Sequence, residues 1–161
     1  MSASNEHAVG GCHKGAPVAA RSPSELEAVC RWVHGAWADV DSLRFDAESE
    51  VLELRLDEAP RGEPVHQRRG WLWSTYVYAV SVWVMRIRGV LRYSLDDRAQ
   101  IGRVELGTIT YDAGAHELII ASEFPVTLAA RVRSVDIEIE PTDTVVNRKR
   151  IMLLNWIEIE R

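Results

Sequence analysis

The sequence predicts an α+β fold of mostly antiparallel β-structure. One N-terminal helix packs on a strongly curved meander sheet, sandwich or partial barrel of about seven or eight strands. Three observations predict this. The stretch from Trp71 to Ser94 is rich in β-branched and aromatic residues and carries no charge between Arg69 and Arg86, a strand composition. Short runs with period-two alternation follow one another through turn residues, as in Glu50–Leu56 and Val135–Glu140. Only one segment has helical periodicity, and no strand–helix–strand rhythm occurs, which argues against a parallel sheet.

Taken in order, residues 1–21 are small, polar and Gly-rich without periodicity and read as a flexible arm; residues 22–161 read as a single domain. Ser22-Pro23-Ser24-Glu25 has the form of a capping box with Pro at the first helical position. Leu26, Val29, Cys30, Val33, Trp37 and Val40 then recur at helical spacing, which predicts a helix from Pro23 to about Asp39. Phe45-Asp46-Ala47 and Tyr111-Asp112-Ala113 begin two similar hairpin turns, with Leu52 and Leu118 in matching places; Asp suits this role because its carboxylate bonds the backbone that follows it. One short repeat does not by itself establish duplicated halves.

The Trp71–Ser94 stretch is apolar on both faces as far as Val84, which predicts a strand covered on both sides. Beyond it, Arg86 and Arg88 share one face while Met85 and Ile87 keep the other, so the strand becomes half-exposed. A compact chain of this size has a radius of gyration of roughly 15 Å. Twenty-four residues of strand span about 80 Å, so the stretch must bend, and Gly89 is the best place for it. Residues 57–70 read as the longest internal loop, and Pro141-Thr142-Asp143 as a turn between two C-terminal strands.

Composition narrows the functional classes. The formal net charge is −5 over 161 residues, which disfavours nucleic-acid and anionic-membrane binding. There is no apolar run of membrane-span or signal-peptide length. Cys12 and Cys30 are the only cysteines, and without a secretion signal they point to a reducing, cytoplasmic compartment. The spacing of His7, Cys12, His13, Cys30 and His34 matches no zinc pattern, and a Cys30–His34 nucleophile pair has nothing nearby to lower the thiol pKa. Gly-rich phosphate loops, Gly-x-Ser-x-Gly, His-Glu-x-x-His and paired Cys-x-x-Cys are all missing, so no cofactor, metal or catalytic residue is assigned.

Two residue groups stand out. Arg61, His66, Arg68 and Arg69 lead into Trp71 and Trp73, a combination suited to an anionic or aromatic ligand through bidentate hydrogen bonds and stacking. Glu138, Glu140, Glu158 and Glu160 alternate with isoleucines; if their strands pair, they share one face, and Arg86, Arg88 and Arg92 should lie between them. The first expectation for function is therefore a small, soluble, cytoplasmic, non-enzymatic protein-binding module whose acidic sheet face receives a basic partner. The second is a binder of a small apolar or aromatic ligand in a cavity between helix and sheet lined by Trp71, Trp73, Tyr76, Tyr78 and Trp83. The third is an enzyme with dispersed residues such as His66, Arg69 and His116. The C-terminal strand, as an exposed edge, also makes a homodimer a possible state.

Overall fold

The computed structural model describes residues 15–58, 63–71, 73–98, 100–153 and 157–159. Strand β1 (Val18–Ala20) leads through a 3-10 turn (Pro23–Glu25) into helix α1 (Leu26–Val33). Ten strands follow: β2 (Trp37–Asp46), β3 (Val51–Asp57), β4 (His66–Arg69), β5 (Trp73–Arg88), β6 (Val90–Asp96), β7 (Arg103–Asp112), β8 (Glu117–Ser122), β9 (Thr127–Val132), β10 (Ile137–Leu153) and β11 (Ile157–Ile159). All pairings are antiparallel, in the order β1-β10-β5-β3-β2-β7-β8-β9-β6, with β11 on β10 and β4 on β5. The expectation of a mostly antiparallel α+β fold holds. Eleven described strands replace the expected seven or eight, and the sheet is folded but not closed into a barrel.

The order has an internal symmetry. The first half runs β2-β3-β5 and then β6; the second runs β7-β8-β9 and then β10. Each half's fourth strand leaves its own half and pairs with the third strand of the other: β6 lies on β9, and β10 on β5. The halves meet where Trp37–Asp39 pair with Glu105–Arg103. Gly89 makes the first exchange possible. Its φ of +69° turns β5 into β6 without the steric penalty a Cβ incurs there, and its carbonyl accepts from the Arg133 amide at 2.9 Å at the second crossing. The bend foreseen at Gly89 is therefore also the point at which the chain changes sides.

The hairpin repeat is equally literal. Asp46 Oδ1 accepts from the Glu48 amide at 2.9 Å, and Asp112 Oδ1 from the Gly114 amide at 2.8 Å. Glu50 and His116, each four residues after the Asp, take φ values of +54° and +53° and close the two turns.

Four expectations are corrected. The helix ends at Val33 rather than near Asp39, because Gly35 adopts φ +78° and donates its amide to Leu106 O at 3.0 Å; Trp37 and Val40 belong to β2, where ladder bonds to β3 and β7 take over. The capping box is altered: Glu25 reaches the Arg21 amide at 2.6 Å, while the Ser22 side chain makes no cap bond. Pro141–Asp143 is not a turn. The β10 register slips between Pro141 and Val145, and Thr142 Oγ1 donates to Val82 O at 2.8 Å, so the bulge is held and β10 continues. Part of the expected loop 57–70 is strand β4. At the other end, Val18–Ala20, assigned by sequence to the arm, pair with Ile139–Ile137; residues 1–14 lie outside the described residues.

The core is one cluster. Leu52, Leu54, Leu56, Met85, Ile87 and Ile139 from one side meet Val104, Leu106, Leu118, Ile120 and Leu128 from the other, with Leu26, Val29 and Val33 of α1 packed in. Trp83 is 1% exposed and stacks edge-on against Trp32 at 4.8 Å between centroids.

Candidate functional site

The first candidate surface grows out of β5. Along this strand Trp83, Met85 and Ile87 point into the core. Trp73, Thr75, Val77, Ala79 and Ser81 continue the same face toward the N-terminal end, because side chains alternate with period two. There β3 no longer pairs with β5; β4 takes its edge, and β10 lies on the other side. Residues directly opposite across a ladder share a face, so His66, Arg68, Val145, Asn147 and Lys149 join it. Of these ten positions, His66, Arg68, Trp73, Ala79, Val145, Asn147 and Lys149 are exposed, and none is acidic. The face that is core at Trp83 is uncovered from Val145, opposite Ser81 and 54% exposed, to Trp73 at the far end, which is 55% exposed. Trp71, in the turn between β4 and β5, is 92% exposed. That turn is tight: Gly70 N donates to Trp73 O at 2.7 Å, and a Cβ at position 70 would lie 2.8 Å from the same oxygen.

The opposite, outer face of the core half is an ionic lattice. Arg86 Nε donates to Glu53 Oε1 at 2.6 Å, and its Nη1 also bonds Glu140. Arg88 Nη2 meets Glu138 at 2.6 Å, and Arg21 bonds Asp136. The hydrogen bond from Arg88 holds the Glu138 carboxyl below the usual glutamate range, and the bond to Glu53 pushes the Arg86 guanidinium further up. Asp57, almost fully buried, receives Arg103 Nη2 at 2.8 Å and Arg148 Nε at 2.6 Å on Oδ2, and thereby ties β3 to β7 and β10. The Arg103 guanidinium also sits 5.1 Å over the Trp37 ring.

The sequence candidates separate accordingly. His66, Arg68 and Arg69 form β4, with Trp71 and Trp73 at its turn; Arg61 lies outside the described residues. Glu138 and Glu140 stand in the lattice with Arg86 and Arg88, as alternation required. Arg92 does not, because β6 pairs with β9. Glu158 stands opposite Met152 at the far end of β10, away from Glu138; Glu160 lies outside the described residues. Trp71 and Trp73 are at the surface while Trp83 is in the core, so these rings do not line one cavity. His66 and His116 sit in different halves, and His116 Nδ1 is 3.1 Å from Tyr111 Oη. Cys30 Sγ donates to Ile109 O at 2.8 Å, a part-buried bond between α1 and β7. Among the described residues, no three His, Cys, Asp or Glu side chains converge as a metal site, and no helix is long and apolar enough to cross a membrane.

The sequence missed Val77, Ala79, Val145, Asn147 and Lys149 as residues on the same sheet face as Trp73. The signal existed, since the β5 residues alternate normally, but an apolar composition on both faces reads as burial on both sides. That holds only around Val80–Trp83.

A second feature is a small apolar cleft, part of it open to solvent, with Val40 and Leu43 of β2, Leu54 of β3, Leu95 of β6, Leu106 of β7 and Leu128 of β9 among its lining. Fold and surface together describe an antiparallel α+β protein with an uncovered sheet extension. Comparison with protein-family models, with curated proteins and with solved structures finds no match to this chain.

Proposed function

We propose that this protein is a non-enzymatic protein-binding module that docks an acidic partner on the uncovered face of the β4–β5–β10 ribbon. The observation that carries the reading is the continuity of a core-type sheet face into solvent, on which Arg68 and Lys149 are the charged side chains among the described positions. Trp73, Val77, Ala79 and Val145 supply apolar area. Arg68 and Lys149 supply positive charge around it, and His66 adds a polar ring. Apolar anchors inside a charged rim are what a protein interface uses, and the rim charges set partner choice and encounter rate. A basic partner on the carboxylate rows has less support, because Arg21, Arg86 and Arg88 already hold Glu53, Asp136, Glu138 and Glu140. The overall charge of −5 favours protein over nucleic acid as the acidic partner.

The test is titration calorimetry with an extended peptide in which Glu alternates with Leu and Tyr. Binding should weaken as salt rises, and the Arg68→Glu/Lys149→Glu double variant should lose about tenfold or more in affinity, since each reversed contact is worth around 1 kcal/mol. Lys14 and Lys149 are the only lysines, so an amine-reactive cross-linker should join the peptide to Lys149. Salt-independent binding, or an unchanged affinity in the double variant, would sink the reading.

A further inference from the structure

The fourth strands of the two halves, β10 and β6, are topological equivalents whose outer edges are treated differently. The edge of β10 is covered by β1, through Val18↔Ile139 and Ala20↔Ile137, and α1 packs on β7 beside it. The edge of β6 ends the strand order, with no neighbour among the described residues. The seam between β6 and β2 holds the apolar cleft, with Val40, Leu43 and Leu95 lining it. Leu91, Tyr93 and Leu95 of β6 are 46%, 40% and 38% exposed, and Tyr93 meets the Phe45 ring at 5.5 Å. A bare strand edge of this length with apolar side chains invites another strand.

The β6 sequence says which strand. Its register on β9 places Arg92, Ser94 and Asp96 opposite Arg131, Ala129 and Thr127 on the outer face, and Tyr93 and Leu95 opposite the buried Ala130 and Leu128. Arg92 and Arg131 are like charges set directly opposite, which is unfavourable. Among the described residues neither makes an ion pair or a side-chain hydrogen bond. A second β6 laid antiparallel about Ser94 resolves this. It pairs Arg92 with Asp96 of the other copy and Asp96 with Arg92, while Tyr93 and Leu95 face each other twice over the cleft side. One patch serves both copies, the condition for a two-fold contact. The present partner of Asp96 is Arg98 Nε at 3.1 Å, a surface pair that contributes little and is readily exchanged.

We infer that the protein forms a homodimer by antiparallel β6–β6 pairing centred on Ser94, with reciprocal Arg92–Asp96 ion pairs. The contact is separate from the ribbon face, so either stands without the other. Light scattering coupled to size exclusion, on the full chain from about 1 μM to about 1 mM, should show the mass rise from 18.2 kDa to twice that value. R92D sets carboxylate against carboxylate and D96R sets guanidinium against guanidinium, so each variant alone should remain a monomer with an unchanged circular dichroism spectrum. An equimolar mixture of the two restores both pairs and should dimerise. The inference is overturned if the unsubstituted chain stays at 18.2 kDa throughout, if either variant alone still dimerises, or if the mixture of folded variants stays monomeric.

Discussion

Glu138 shows how a single side chain binds three strands. It sits on β10, meets Arg88 of β5 at 2.6 Å, and lies 3.8 Å from Arg21, which follows β1. Its carboxyl titrates below the ordinary glutamate range, chiefly through the Arg88 hydrogen bond. A folded-state pKa below the unfolded one means the unfolded chain takes up the proton more readily. The stabilisation is therefore present above the unfolded value of about 4.3 and is lost as pH falls through the folded value. Glu138→Gln should flatten the dependence of stability on pH between about pH 5 and pH 3, by a fraction of a kcal/mol to about 1 kcal/mol for a partly exposed pair. Denaturant midpoints across that range check it; an unchanged slope would move the acid sensitivity elsewhere. This lattice was legible in the alternation of isoleucine with glutamate and of Arg86 and Arg88 with Met85 and Ile87. The Asp57 anchor was not, because Asp57, Arg103 and Arg148 lie far apart in sequence and no local pattern marks them as neighbours.

Among the elements, the two hairpins were the most legible. Each is closed by local chemistry: an aromatic residue, an Asp that bonds its own turn, and a residue in left-handed backbone. That last position is open to improvement. His116 at φ +53° bears a side chain where Gly is at ease, and its ring bond to Tyr111 is exposed. His116→Gly should raise stability by about 0.5–1 kcal/mol, as relief of left-handed strain exceeds the entropy lost with Gly. Thermal melting checks the sign, and a fall in Tm would show that the ring–phenol bond matters more than the backbone. Helix α1 was legible in its start but not its end. Trp37 and Val40 fit a helical stripe by spacing, yet the ladders to β3 and β7 offered more than two further helical turns, and Gly35 permitted the switch. Pro141 misled for the converse reason: the Thr142 hydroxyl takes Val82 O, so a bulge replaces the expected turn.

At the scale of the molecule, the exchange of fourth strands makes the halves inseparable. Neither β2-β3-β5-β6 nor β7-β8-β9-β10 completes its own sheet, and the core residues of both form one cluster. Unfolding should therefore be a single cooperative transition, with tryptophan fluorescence and far-ultraviolet circular dichroism giving coincident midpoints. A fragment ending at Asp97 should remain unfolded in isolation, because β5 would lose β10 and β6 would lose β9; a second transition, or a folded fragment, would show the halves to be independent.

By itself the sequence determined the antiparallel α+β class, the strand composition of Trp71–Ser94, the bend at Gly89, the two aromatic-Asp turns and, of the expected arginine and glutamate rows, the pairing of Arg86 and Arg88 with Glu140 and Glu138. All of these follow from local backbone preference or from period-two alternation, which neighbouring residues carry. Only the tertiary structure decided the strand exchange, the Asp57 anchor, the uncovered ribbon face and the bare β6 edge. Each depends on which distant strand lies alongside, and one antiparallel pairing makes the same local demands as another. The same alternation that buries Trp83 leaves Trp73 in solvent, because the second layer of the fold ends between them.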